Sequence, residues 1–168
     1  MPAPDVRMNY WTRQGWQRGQ GIVEFALVLP ILLLITFGVI EFGRFMAIYV
    51  GLTSSSREAA RYGAGVGLTD RPTLIPPYQD CDGIEAAARR MSVLVPLESV
   101  TIEYDNLRTL SHLQECPPPR DEIMLESRIG VTVTATYQPL APFVNLPPIP
   151  ITSTNWRTIL KEVWLEDY

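Results

Sequence analysis

The chain has 168 residues, 46% of them hydrophobic, and a net charge of −4. That length holds one domain plus an anchor. The acidic balance argues against a nucleic-acid or anionic-lipid binder, and two cysteines with one histidine cannot by themselves complete a four-ligand zinc site, so no cofactor is expected.

Residues 1–17 carry Pro2, Pro4 and Gly15 among polar residues, with Tyr10, Trp11 and Trp16. They have neither helical nor strand periodicity. Two readings stand side by side: a disordered tail, or a leader whose aromatic rings settle at a membrane interface.

Ile22 to Ile40 is almost unbroken apolar sequence. As a helix this run spans roughly 28 Å, close to the hydrocarbon thickness of a bilayer. Arg7, Arg13 and Arg18 precede it with one acid, Asp5, whereas Glu41 and Arg44 balance after it. The basic excess predicts a cytoplasmic N-terminus and an extracytoplasmic remainder. Glu24 does not suit a plain anchor, because an unpaired carboxylate inside an apolar run is costly.

Three readings compete for this stretch. A secretory signal peptide suits the basic start, but the run is long and no small-x-small cleavage site follows it. A generic single-pass anchor explains the length and leaves Gly19 and Glu24 as accidents. In a prepilin-type segment a short basic leader ends in glycine and is cut on the cytoplasmic face. Cutting after Gly19 makes Gln20 the new N-terminus and Glu24 its fifth residue, followed by Phe25.

The run from Gly19 through Gln20, Glu24 and Phe25 to Pro30 resembles the start of the TadE-like family of pilus-assembly pseudopilins. Ile40 to Arg44 and Ser56 to Ala64 resemble two further blocks of that family, in order and spacing. The resemblance covers roughly residues 18–64. It implies a structural or assembly component of a tight-adherence pilus, a minor pilin or pseudopilin rather than an enzyme. It also implies that a prepilin peptidase cuts between Gly19 and Gln20, and that Glu24 and Phe25 serve assembly. The implied partners are that peptidase, other pilins or pseudopilins, the inner-membrane assembly platform and the lipid bilayer. Removing residues 1–19 takes away three arginines and one aspartate, a charge of +2, which leaves −6 from the whole-chain −4.

The helix is expected from about Gly21 to Ala64, bent at Pro30, where a backbone donor is missing. Leu52, Ser55, Ser56, Ala59, Ala60 and Gly63 fall near one face, and Glu58 with Arg61 makes a solvated pair. Gly63, Gly65 and Gly67 end the helix, and the prolines at 72, 76 and 77 mark a linker. Asp82 then reads as the N-cap of a short amphipathic helix, with Glu85 in a capping box and Pro96 as the stop.

Residues 99–104 and 128–138 alternate with period two, as strands with one buried face do. Leu107 to Glu126 reads as a long connection, and 139–150 as a proline-rich loop holding Phe143, Val144 and Leu146. Residues 151–164 are β-rich, with Trp156, Leu160 and Trp164 as the expected apolar contacts. Cys81 and Cys116 in an exported segment suggest one disulfide, with two unrelated thiols as the other reading. His112 beside Cys116 makes no catalytic pair if that cysteine is bridged.

The expected fold class is α+β. A long N-terminal transmembrane helix precedes a small exported domain, with one short helix on an antiparallel sheet of about three strands. The expected parts are a cytoplasmic leader (1–19), the transmembrane helix (20–50), its extension outside the membrane (51–66) and the exported domain (67–168). The competing function is an uncleaved single-pass membrane protein whose extracytoplasmic domain binds a partner or ligand.

Overall fold

The computed structural model describes residues 14–69, 74–106, 111–114, 116–119, 123, 126–140 and 147–160; for 14–18, 111 and 112 it describes the backbone alone. Asp5, Arg7, Tyr10, Trp11, Arg13, Phe143, Val144, Leu146 and Trp164 lie outside the described residues, as do the side chains of Trp16, Arg18 and His112. The chain divides into two compact units, residues 1–42 and 43–168.

The first unit is built on helix α1 (Gln14–Gly63), which continues without interruption through Pro30. It begins seven residues before the expected start at Gly21. Its apolar side chains between Ile22 and Phe42 are exposed, Leu34 to 75%, except the half-buried Leu29. This suits a run whose apolar residues point all round rather than to one stripe.

The second unit begins with the C-terminal part of α1. A single-turn 3-10 segment (Pro77–Gln79) and helix α2 (Cys81–Met91) follow, then strands β1 (Ser99–Asn106), β2 (Ser111–Leu113), β3 (Ser127–Tyr137) and β4 (Ile149–Thr158). The strands form one antiparallel sheet in the order β2-β1-β3-β4. The α+β class with a long leading helix, a short helix and an antiparallel sheet is therefore what the chain adopts. Strands β1 and β3 were legible from their alternation and β4 from its β-rich composition. The three-residue edge strand β2 sits inside the stretch read as a connection, too short for a period to register.

The sheet buries one face. Ile129, Val131, Val133, Ala135 and Tyr137 of β3 point inward with Ile102 and Tyr104 of β1, while Thr132 and Thr134 point outward. Two helices cover that face. Phe45 of α1 meets Tyr137 edge-on at 5.3 Å between ring centroids, and Ser56 reaches Ser153 of β4. A Cβ on Gly63 would stand 2.5 Å from Ile129 Cδ1 and 3.1 Å from Ile84 Cδ1, so the bare backbone of α1 lets strand and second helix close in together. Leu52, Ala59 and Ala60 are fully buried on the same side of α1. Small residues spaced three and four apart give α1 a flat face for the sheet.

Strand β4 departs from the sequence reading. Its inward residues are Ile151, Ser153 and Asn155, set opposite Ala135, Val133 and Val131. Trp156 faces outward, opposite Gly130, and remains 37% exposed. A Cβ on Gly130 would lie 2.7 Å from three indole atoms, so the ring lies flat on the strand and shields a residue that has no side chain. Leu160 is exposed. The strand's period places Trp156 on the face opposite Ile151, five residues away.

The start of α2 also needs a correction. Its N-cap is Asp80, not Asp82: Gly83 N–H donates to Asp80 Oδ1 at 3.0 Å. Asp80 Oδ2 accepts the Tyr62 hydroxyl at 2.6 Å, so one carboxylate caps α2 and ties it to α1. Asp82 stands in the first turn, where its charge suits the helix dipole. Glu85 pairs with Arg89 at 2.7 Å instead of completing a capping box. The helix stops at Met91, before Leu94 and Val95, where the Ser92 hydroxyl turns to the Val95 carbonyl at 2.5 Å. Asp80→Ala should lower the unfolding free energy of the purified chain by about 1–2 kcal/mol, the usual worth of an N-cap. Asp80→Asn should recover most of that loss in the same denaturation measurement.

Candidate functional site

The residues singled out for processing and assembly all stand on α1. A Cβ at Gly19 would meet nothing within 4 Å, so the glycine is not required by packing inside this chain. Gln20 Nε2 donates to Glu24 Oε1 at 3.2 Å, a contact between helix residues four apart. Phe25, the next residue, is 62% exposed. Between Gly19 and Ile40, Glu24 is the one charged residue. The result is a helix surface apolar all round, with a single carboxylate near its start and one glutamine amide as its neighbour. Residues 19–63 of α1 include a stretch long and apolar enough to cross a membrane.

The block from Ser56 to Ala64 belongs to the second unit and does different work. The Ser56 hydroxyl accepts from Asn155 Nδ2 at 2.5 Å, donates to the Thr53 carbonyl at 3.1 Å and lies 3.1 Å from Ser153 Oγ. The Ser55 hydroxyl donates to the Ala88 carbonyl of α2. Both serines are fully buried. A buried hydroxyl without a partner is destabilising, so these bonds fix where β4 and α2 sit along α1. On the outer side Glu58 and Arg61 make a two-pronged ion pair, with contacts of 2.8 and 2.5 Å. It rests on an exposed helix face and is worth little to stability.

Cys81 and Cys116 form a disulfide, with their Cα atoms 5.9 Å apart. Cys81 opens α2, and Cys116 precedes Pro117 through a cis peptide bond. The Tyr104 hydroxyl donates to the Tyr78 carbonyl at 2.6 Å and lies 3.3 Å from Cys116 Sγ. Burial, with a smaller contribution from Tyr78, pushes the Tyr104 phenol well above the usual tyrosine range, so it stays a neutral donor. The Tyr62–Asp80 and Tyr104–Tyr78 bonds were invisible in the sequence, since each joins residues whose proximity only the fold creates. Tyr62 had a signal of sorts, as the one aromatic between Ser56 and Ala64.

Among the described residues no group of three or more His, Cys, Asp or Glu side chains could hold a metal ion. The described clefts include a shallow one between Glu58, Arg61, Tyr62, Leu68 and Pro77, an open surface hollow with no convergent acid–base pair. What the chain displays is an exposed apolar helix with one acid.

Residues 19–61 match the model of the TadE-like protein family. The match starts at Gly19 and ends two residues before α1 does, so it takes in the first two blocks, the third as far as Arg61, and none of the sheet. TadE-like proteins are a structural, pilin-type family, which agrees with a site that displays surface rather than reactive groups. No curated protein and no solved structure matches the chain.

The disulfide closes a loop with a sequence separation of 35, which in the chain-entropy model corresponds to about 4 kcal/mol of stabilisation. Cys81→Ser with Cys116→Ser should lower the unfolding free energy by about 2–4 kcal/mol, read from denaturant curves. Alkylation of the denatured, unreduced wild-type protein should label neither thiol.

Proposed function

We propose that this chain is a minor pilin or pseudopilin of a tight-adherence pilus, made as a precursor and cut between Gly19 and Gln20 by a prepilin peptidase. The observation that carries the reading is the exposed, all-round apolar surface of α1 from Ile22 to Ile40 with one acid, Glu24, near its start. The family match begins at the residue after which cleavage would fall. The positive leader keeps the N-terminus cytoplasmic and the chain beyond residue 50 extracytoplasmic. In this reading residues 1–19 are the leader, 20–50 cross the membrane, 51–66 extend the same helix outside and 67–168 complete the exported domain. The partners are the peptidase, neighbouring pilins or pseudopilins, the assembly platform at the inner membrane and the lipid bilayer.

Cleavage changes the surroundings of Glu24. It creates an α-amino group on Gln20 with a reference pKa of about 7.7–8.0, largely protonated at neutral pH. In an assembly the amine of a neighbouring copy reaches Glu24. A charge pair in low dielectric rewards the correct axial stagger of adjacent helices and penalises the wrong one. Gly19 suits the leader's last position because a side chain there would obstruct an extended backbone in a protease cleft.

The N-terminus of the protein isolated from its own membranes should be Gln20. An intact residue 1 in cells with an active peptidase would instead favour the uncleaved single-pass protein with a partner- or ligand-binding domain. Glu24→Gln keeps the size and removes the charge. Insertion and leader cleavage should persist in that variant, while co-purification with pilins and pilus production should fall. Wild-type assembly by the variant would reduce Glu24 to a boundary residue.

A further inference from the structure

Both helices pack on the inner face of the sheet, and among the described residues the outer face is left to side chains such as the half-buried Thr132 and the exposed Thr154. Strand pairing sets Glu103 of β1, Gly130 of β3 and Trp156 of β4 in one row across that outer face. Because Gly130 has no side chain, the indole lies flat over β3 and leans from β4 toward β1. The strand covers the inner side of the ring, so the 37% of Trp156 that stays exposed belongs to its outer side and edges. Polar groups border this plate. Glu103 stands in the same row, its carboxylate accepting from Gln114 Nε2 at 3.2 Å. The Arg128 guanidinium, bonded to Asp105, has its central carbon 5.4 Å from the ring centroid. In the next row the way Thr132 and Thr154 lie, their hydroxyls are 2.8 Å apart.

We propose that this face binds carbohydrate, with one pyranose ring stacked on the outer side of the Trp156 indole. Every residue involved belongs to the second unit. A pyranose carries C–H groups on its face and hydroxyls round its perimeter. The C–H face loses water against the indole, and the perimeter meets hydrogen-bonding groups of both kinds. Glu103 accepts, Arg128 donates, and the threonine hydroxyls do either. Glu103 and Asp105 outnumber Arg128 at the plate, a balance that opposes phosphorylated and uronic sugars and suits neutral or N-acetylated ones. A proline-rich peptide would need a groove between several rings, whereas this plate is a single ring. An open plate buries little of its ligand, so the affinity for one short oligosaccharide lies in the millimolar range.

The test uses the full chain, with the Cys81–Cys116 bond intact, in micelles of a phosphocholine detergent, whose headgroup carries no sugar. The probes are cellotriose, chitotriose and maltotriose, each followed by saturation-transfer NMR. At least one should receive magnetisation at its ring C–H protons and titrate to saturation. Trp156→Ala should abolish the transfer, and Trp156→Phe should keep part of it. Glu103→Gln leaves the indole and its seat on Gly130 in place. It should weaken binding about tenfold, the worth of one charged hydrogen bond, with an unchanged thermal midpoint. Failure of all three sugars to saturate overturns the proposal, as does undiminished transfer in Trp156→Ala or wild-type affinity in Glu103→Gln. A proline-rich peptide that saturates where the sugars do not means a protein partner on the ring and also overturns it.

Discussion

One helix must satisfy two solvents. From Ile22 to Ile40 α1 is apolar on every side and, among the described residues, almost wholly exposed; from Leu52 to Ala64 one side is packed and the other is polar. The apolar part has to be covered by something outside the chain, because so large an exposed surface is not tolerated in water. Lipid covers it first, and neighbouring helices can replace lipid without a further hydrophobic gain, so association there depends on packing and on polar groups. Glu24 is the one charged group available between Gly19 and Ile40, which is why the proposed assembly role falls on it.

The packed part of α1 organises the second unit. Ser55 and Ser56 bond to α2 and β4, Tyr62 bonds to the cap of α2, and Gly63 lets Ile84 and Ile129 meet. The helix is thus both stalk and core element. The disulfide fixes the start of α2 to the loop bearing Cys116, at the far end of the same core. This small domain would otherwise depend on a modest buried area.

Much of this was legible in the sequence because the governing patterns are periodic. The all-apolar run, the small-residue face of α1 and the alternation in β1 and β3 each repeat often enough to be read. The errors came from single positions. Asp80 won the cap over Asp82 because its second oxygen is held by Tyr62, eighteen residues back, a contact with no local signature. Trp156 faced outward because Gly130 lay across the strand pair, and a missing side chain on a neighbour leaves no mark on the tryptophan's own segment. As for the candidate site, Gly19, Gln20, Glu24 and Phe25 were readable because they lie within a few residues of one another on one helix.

The central claim is that Glu24 of one copy pairs with the N-terminal amine of another. Zero-length carbodiimide coupling joins a carboxylate to an amine only where the two already touch. Coupling in native membranes that contain an equal mixture of light- and heavy-isotope copies should yield an amide between Gln20 and Glu24 in which one partner is light and the other heavy. Mass spectrometry that recovers both peptides uncoupled, or coupled only within one isotope class, would contradict the account.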